Sequence, residues 1–336
     1  MLHKLLTFSL LMTVLASCGT QKNESPAEEE IVETETEPQL MNLSATLELD
    51  AKAQLGEGAI WHPEEKKFYW IDIENKKLHI YDPADKSDRE ITMPSRIGTV
   101  VPAKEGGVLV ALEGGIFHVD LETENLTLLN NPLEGQEAIR FNDGKCDPQG
   151  RFWVGSMKLD QSAKQADLYR FDTDGTAHHM LDSITISNGI VWSPDHKKMY
   201  YIDTPTGKVQ GFDYDAETGE ISNGEVVVQI QEGMGYPDGM TIDSEGMLWI
   251  GMWNGFGVTR WNPNTGEYLG KVEVPAQNVT ACAFGDEDLS TLYITTASIG
   301  TDAQTLEKYP HCGGVFSVKT NFKGSPAFYY AGKTSQ

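Results

Sequence analysis

From about residue 45 onward the chain is a succession of short runs in which apolar and polar residues alternate. Alternation with a period of two predicts strands with one face buried. AIWHP, FYWIDI and LHIYDP follow one another in this way, and IVWSP, MYYID and VQGFDYD repeat the order. RFWVGSM and LWIGMW, then LYRFDTDG and VTRWNPNTG, read as second and third strands of further units, as do GVLVAL with GIFHVDLET and TLYITTA with GVFSVKT. Between them stand DPQG, SPDH, DSEG, NTG and ETG, whose residues set or tolerate turn dihedrals. No amphipathic helix is predicted beyond the N-terminal 18 residues.

The strands fall into a repeat. A polar residue stands four positions ahead of a bend in EGAIWHP (57–63), TVVPAKE (99–105), NDGKCDP (142–148), NGIVWSP (188–194), DGMTIDS (238–244) and TACAFGD (280–286). The spacings are 42, 43, 46, 50 and 42 residues. An all-strand repeat of that length predicts an all-β, six-bladed β-propeller with four-stranded blades around a central axis. Equivalent positions in a propeller face that axis, so Glu57, Thr99, Asn142, Asn188, Asp238 and Thr280 are expected to converge. SATLELDAKAQ (44–54) reads as a lone strand, expected to pair near PAFYYAG (326–332) and close the ring, which removes exposed edges.

A length of 336 residues would ordinarily suggest two domains, but a closed ring of blades is one. Residues 1–18 read as a processing signal: His3 and Lys4, then LLTFSLLMTVLA, then LASC, which resembles a bacterial lipobox ending at Cys18. Residues 19–44 carry seven glutamates and two prolines and read as an acidic, disordered tether. The propeller is assigned to residues 45–336. The expectation is an exported lipoprotein held at the membrane only by its N-terminal lipid, facing periplasm or cell surface, and monomeric. The net charge of -24 excludes a nucleic-acid partner, which needs a basic footprint. Cys146 and Cys282 fall within strands and read as buried fillers; with Cys312 they make an odd number, so at least one thiol is free. His178 and His179 read as surface residues, and His62 and His196 as solvated turn residues.

The candidate chemistry lies on the axis. Glu57, Asn142, Asn188 and Asp238 each have a glycine one or two positions on, which suits a tight turn and close backbone approach. They offer carboxylate and amide oxygens with no His or Cys among them. That set suits one hard divalent cation, calcium first, with magnesium, manganese or zinc as alternatives. Without a cation, two carboxylates aimed at one point resist ionisation. Arg140, in AIRFNDG, is the basic residue beside the set, suited either to holding a substrate oxygen or to a salt bridge. No GxSxG elbow, HExxH, phosphate loop or dinucleotide fingerprint is present. Trp253, just after a second strand, is placed at the mouth of the site.

LGEGAIWHP, RFNDGKCDPQGRFWVGSM, ISNGIVWSPD and YPDGMTIDSEGMLW together resemble the gluconolactonase family that includes regucalcin, over roughly residues 50–332. The resemblance implies a six-bladed propeller, an axial divalent metal and hydrolysis of sugar lactones. It implies Glu57, Asn188 and Asp238 as metal ligands, Asp238 also as the proton relay, and Arg140 and Asn142 as holders of the lactone substrate. The family's acidic substrate contact after the GxM stretch falls at Asp160, one methylene shorter than the usual glutamate. Two alternatives stay open. One is a broader metal-dependent esterase or phosphotriesterase; the other is a non-catalytic tethered propeller binding calcium or sugar.

Overall fold

The computed structural model describes residues 40–334. The signal ending at Cys18 and residues 19–39 of the tether lie outside that range. Six sheets, five of four antiparallel strands and one of five with a parallel outermost strand, form a six-bladed propeller. The innermost strands are Gly56–His62, Ile97–Pro102, Ile139–Cys146, Ser187–Trp192, Tyr236–Ile242 and Asn278–Gly285. Each touches the next, and the last touches the first. Their side chains are almost wholly buried, as strands covered on both faces must be. Among the described residues no helix is long and apolar enough to cross a membrane.

The ring closes differently from expectation. Thr46–Leu49 pairs antiparallel with Val315–Lys319 and becomes the outer strand of the sixth blade. That blade takes only three strands from the C-terminal part of the chain, so its free edge is the one needing a partner. PAFYYAG instead runs across the second and third blades, where Tyr330 N donates to Pro102 O (2.9 Å) and Ala331 N to Gly150 O (3.0 Å). Residues 41–44, assigned in sequence to the tether, are instead a strand. Met41–Ser44 pairs in parallel with Gly270–Glu273 as a fifth strand on the fifth blade, with Met41 and Leu43 packed on the core. A short helix, Ala303–Lys308, adds to the strands; Asp302 caps it by accepting from Thr305 N at 2.9 Å. Six residues are too few to show a helical period in sequence.

Large aromatic residues fill the spaces between blades. Trp70, Trp153, Trp249 and Trp261 are all 1 % exposed or less. Cys146, Cys282 and Cys312 are buried free thiols. His62, expected in solvent, is buried: its ring lies edge-on to Tyr329, and its Nδ1 accepts from Glu65 N. His179 is exposed as expected, and His178 is half-buried.

Two innermost strands run on into a buried aspartate. Asp147 Oδ2 accepts from Arg151 Nε (2.8 Å), Trp153 Nε1 (3.0 Å) and Tyr214 Oη (2.8 Å). Asp243 Oδ2 accepts from Trp249 Nε1 (2.8 Å) and from Arg260 Nε (2.9 Å) and Nη2 (2.7 Å). Removing one partner of a buried pair strands the other charge, at a cost of roughly 3–5 kcal/mol. Asp147→Ala is therefore expected to lower the denaturation free energy by about that amount in urea titration. A loss under about 1 kcal/mol would show that the pair is not a structural anchor.

Candidate axial site

Every innermost strand carries one extra residue where its axial position falls. The register against the second strand slips between Glu57 and Ile60, Ile97 and Thr99, Phe141 and Gly144, Ser187 and Ile190, Pro237 and Met240, and Val279 and Cys282. Such bulges bend a strand and re-aim a side chain. The glycines permit neighbouring blades to touch there. A Cβ at Gly189 would lie 2.8 Å from Asp238 O, and one at Gly239 would lie 2.7 Å from Ala281 Cβ.

Glu57, Asn142, Asn188 and Asp238 converge on one cavity of about 340 Å³, with Arg140 beside them. All five are more than nine-tenths buried. Thr99 and Thr280 do not join them. Thr99 Oγ1 donates to Gly144 O (3.0 Å) and Thr280 Oγ1 to Gly56 O (2.5 Å), so both hydroxyls lock adjacent blades together. Asp160 does not join either. Its side chain is 60 % exposed, accepts from Ser162 N (2.9 Å) and pairs with Lys158 at 3.2 Å. The side-chain and backbone donors of Ser162 hold it down to about 2. The neighbouring Gln161, in a left-handed conformation at φ 58, lines the cavity instead.

The polar side chains form a chain across three blades. Arg140 Nη1 donates to Asn142 Oδ1 (2.7 Å), and Asn142 Nδ2 to Ser187 O (2.6 Å) and Asn188 Oδ1 (3.5 Å). Asn188 Nδ2 donates to Thr204 Oγ1 (2.8 Å), which donates to Pro237 O (2.8 Å). The amides are thus oriented before any ligand arrives. Thr204 escaped the sequence reading because it lies in the turn after a second strand, outside the repeated motif. Asp143 also escaped it. Simple alternation turns it away from Asn142, and only the bulge brings its charge to bear on Glu57 and Asp238.

The electrostatics are those of crowded acids. Burial, then the charge of Asp143, raises Glu57 to about 8, against smaller help from the Gly58 N–H and Arg140. Burial, then Glu57 and Asp143, raises Asp238 well above the ordinary carboxylate range. One Asp143 oxygen is buried with no partner among the described residues. Burial pulls the Arg140 guanidinium down to about 10, which leaves it charged at neutral pH. A divalent cation fits this donor set: it would offset the repulsion and meet only oxygen ligands. A second grouping, His79, Asp88 and Glu90, has ligand atoms within 4.8 Å of one another on outer strands of the first blade. Lys77 pairs with Glu90, and His79 Nδ1 with Asp88 Oδ2 at 2.7 Å, while His79 Nε2 and Asp88 Oδ1 are buried with no partner among the described residues.

The fold and the site together define the class, a six-bladed propeller with carboxylate and amide oxygens gathered at one axial cavity. Within that class the chain belongs to the SMP-30/Gluconolactonase/LRE-like family, whose sequence model matches residues 55–298. It is 38% identical over 290 residues to the "Putative sugar lactone lactonase YvrE" of Bacillus subtilis (strain 168), covering 86% of this chain and 99% of that one. It is 38% identical over 284 residues to regucalcin of Danio rerio, covering 84% and 96%. The crystal structure of a calcium-binding protein, regucalcin, from Agrobacterium tumefaciens str. C58 superposes with a TM-score of 0.82 at 26% identity, covering 86% and 98%.

Proposed function

We propose that the protein is a divalent-metal-dependent hydrolase that opens sugar lactones to aldonic acids. The observation that carries this reading is the meeting of Glu57 and Asp238, both buried and both resisting ionisation, with two pre-oriented amides and Arg140 at one cavity. Family membership supports it, and the name of the Bacillus relative points to the substrate class. Glu57, Asn188 and Asp238 would hold the ion, with calcium the first choice given the regucalcin relatives. When bound, it supplies Lewis-acid stabilisation of the charge that develops on the lactone carbonyl oxygen.

The residues do the rest. Asp238 takes a proton from the attacking water, whose oxygen bonds to the carbonyl carbon. The same carboxyl then gives a proton to the ring oxygen as its bond to that carbon breaks, leaving a hydroxyl and a carboxylic acid. Arg140 and Asn142, locked to each other at 2.7 Å, orient substrate oxygens and supply proximity. Cys18 would carry the lipid that holds the enzyme outside the cytoplasm, and a monomer suffices because all five side chains come from one chain.

The test is a pH-stat assay on pentono- and hexonolactones. Excess chelator is expected to abolish turnover, and one divalent ion to restore it; activity that persists in chelator refutes metal dependence. A second reading draws on the cavity walls, where Leu55, Ile73, Met157, Ile186 and Trp253 present apolar surface. It takes lactones or esters with apolar substituents as substrates. Higher kcat/KM on such esters than on every sugar lactone in the same panel decides for it.

A further inference from the structure

The central channel has a second end. Three residues beyond five of the six axial positions, the innermost strands place Ile60, Lys145, Val191, Thr241 and Ala283, all of which line another cavity of about 330 Å³. One of those three residues is the extra residue of the bulge, so the step is about two residues of strand rise, ~7 Å along the axis from the acids. Trp61, Trp192, Phe284 and Phe328 wall it, and no carboxylate lines it. That is notable in a chain with 50 Asp and Glu residues. Lys145 is the lone Lys or Arg among its lining residues. Its Nζ donates to Met240 O at 3.0 Å, its only hydrogen bond among the described residues, and no described carboxylate pairs with it. Glu57, at the axial site above, feels its charge without bonding it.

We propose that this end of the channel is a second ligand site, for a small monocarboxylate with an aromatic or branched apolar body. An ammonium has three donors, and Met240 O uses one. A carboxylate accepts from the remaining two and supplies the missing counter-charge in a partly desolvated place, where charge-assisted bonds are strongest. The aromatic walls take the apolar body. The volume is at the lower end of small-ligand sites, which suits one ring and a short acid arm. A cationic ligand meets repulsion from Lys145 and finds no acid to pair with. The site is independent of the lactonase reading, since it shares none of the residues assigned to that reaction.

Calorimetry on the full chain tests it with two probes, 3-phenylpropanoate and the neutral 3-phenylpropanamide. The acid is expected to bind at least tenfold more tightly than the amide. Lys145→Met removes that preference, Lys145→Arg keeps it, and Ala327→Trp at the cavity rim abolishes binding of both. Thermal melts confirm that each variant is folded, and the Ala327 variant keeps the proposal testable if Lys145→Met is not. Equal affinity for acid and amide overturns the proposal, as does failure of both to bind. Acid binding lost in Arg140→Met but kept in Lys145→Met also overturns it, because it places the ligand at the axial site.

Discussion

Asp238→Asn is expected to reduce kcat for lactone hydrolysis by roughly 100- to 10,000-fold, the range over which a positioned acid–base group acts. Asparagine keeps the shape and one ligand oxygen, but it neither accepts nor returns a proton at neutral pH. Metal affinity, measured by calorimetry on the same variant, falls by a much smaller factor, because a charge is lost while the coordination number is kept. The metal-free variant should also melt higher than the parent at pH 8, since the side chain that Glu57 and Asp143 repel is then neutral. Equal losses of kcat and metal affinity would make Asp238 a ligand without a proton-transfer role.

The stabilisation given by a divalent cation is expected to grow steeply with pH. Glu57 is raised from an ordinary value of 4.5 to about 8, and Asp238 is raised as well. Between those pH values the folded, metal-free protein holds protons that the unfolded chain has released. Its stability from this source is complete below about 4.5 and is lost as pH rises through about 8. A cation must displace the same protons, so its binding tightens over that window. At a free concentration 100 times Kd, binding contributes about 2.7 kcal/mol. For a domain of this size that corresponds to a rise in Tm of roughly 4 °C at pH 8. At pH 5 the rise should nearly vanish. A shift in Tm that is flat between pH 5 and pH 8 would mean that the ion binds away from Glu57 and Asp238.

Much of the fold was legible because a propeller repeats one local pattern. Alternation located the strands, turn residues separated them, and the 42- to 50-residue spacing counted the blades. The misreadings cluster where chain partners are distant. The closing strand Thr46–Leu49 was recognised, but its partner was taken to be 326–332 when it is Val315–Lys319. Met41–Ser44 was given to the tether because its composition continues a polar segment, whereas the unpaired edge at Gly270–Glu273 recruits it. At the site, the repeat pointed equally to six residues, and four reach the cavity. Thr99 and Thr280 carry short side chains whose hydroxyls find the adjacent blade's carbonyl before they find the channel. Asp160 was placed by motif distance alone, and its loop turns it to solvent.

By itself the order of residues determined what local physics can determine: strands, turns, blade number, and the oxygen-rich character of the axial positions. Those follow from a period of two and from turn propensities, which act over a few neighbours. The closed ring decided which side chains meet, since Glu57 on the first blade and Asp238 on the fifth come together only when three intervening blades are stacked and the sixth closes the ring. It also decided their protonation, because burial and the charge of Asp143 do not exist until the blades enclose them.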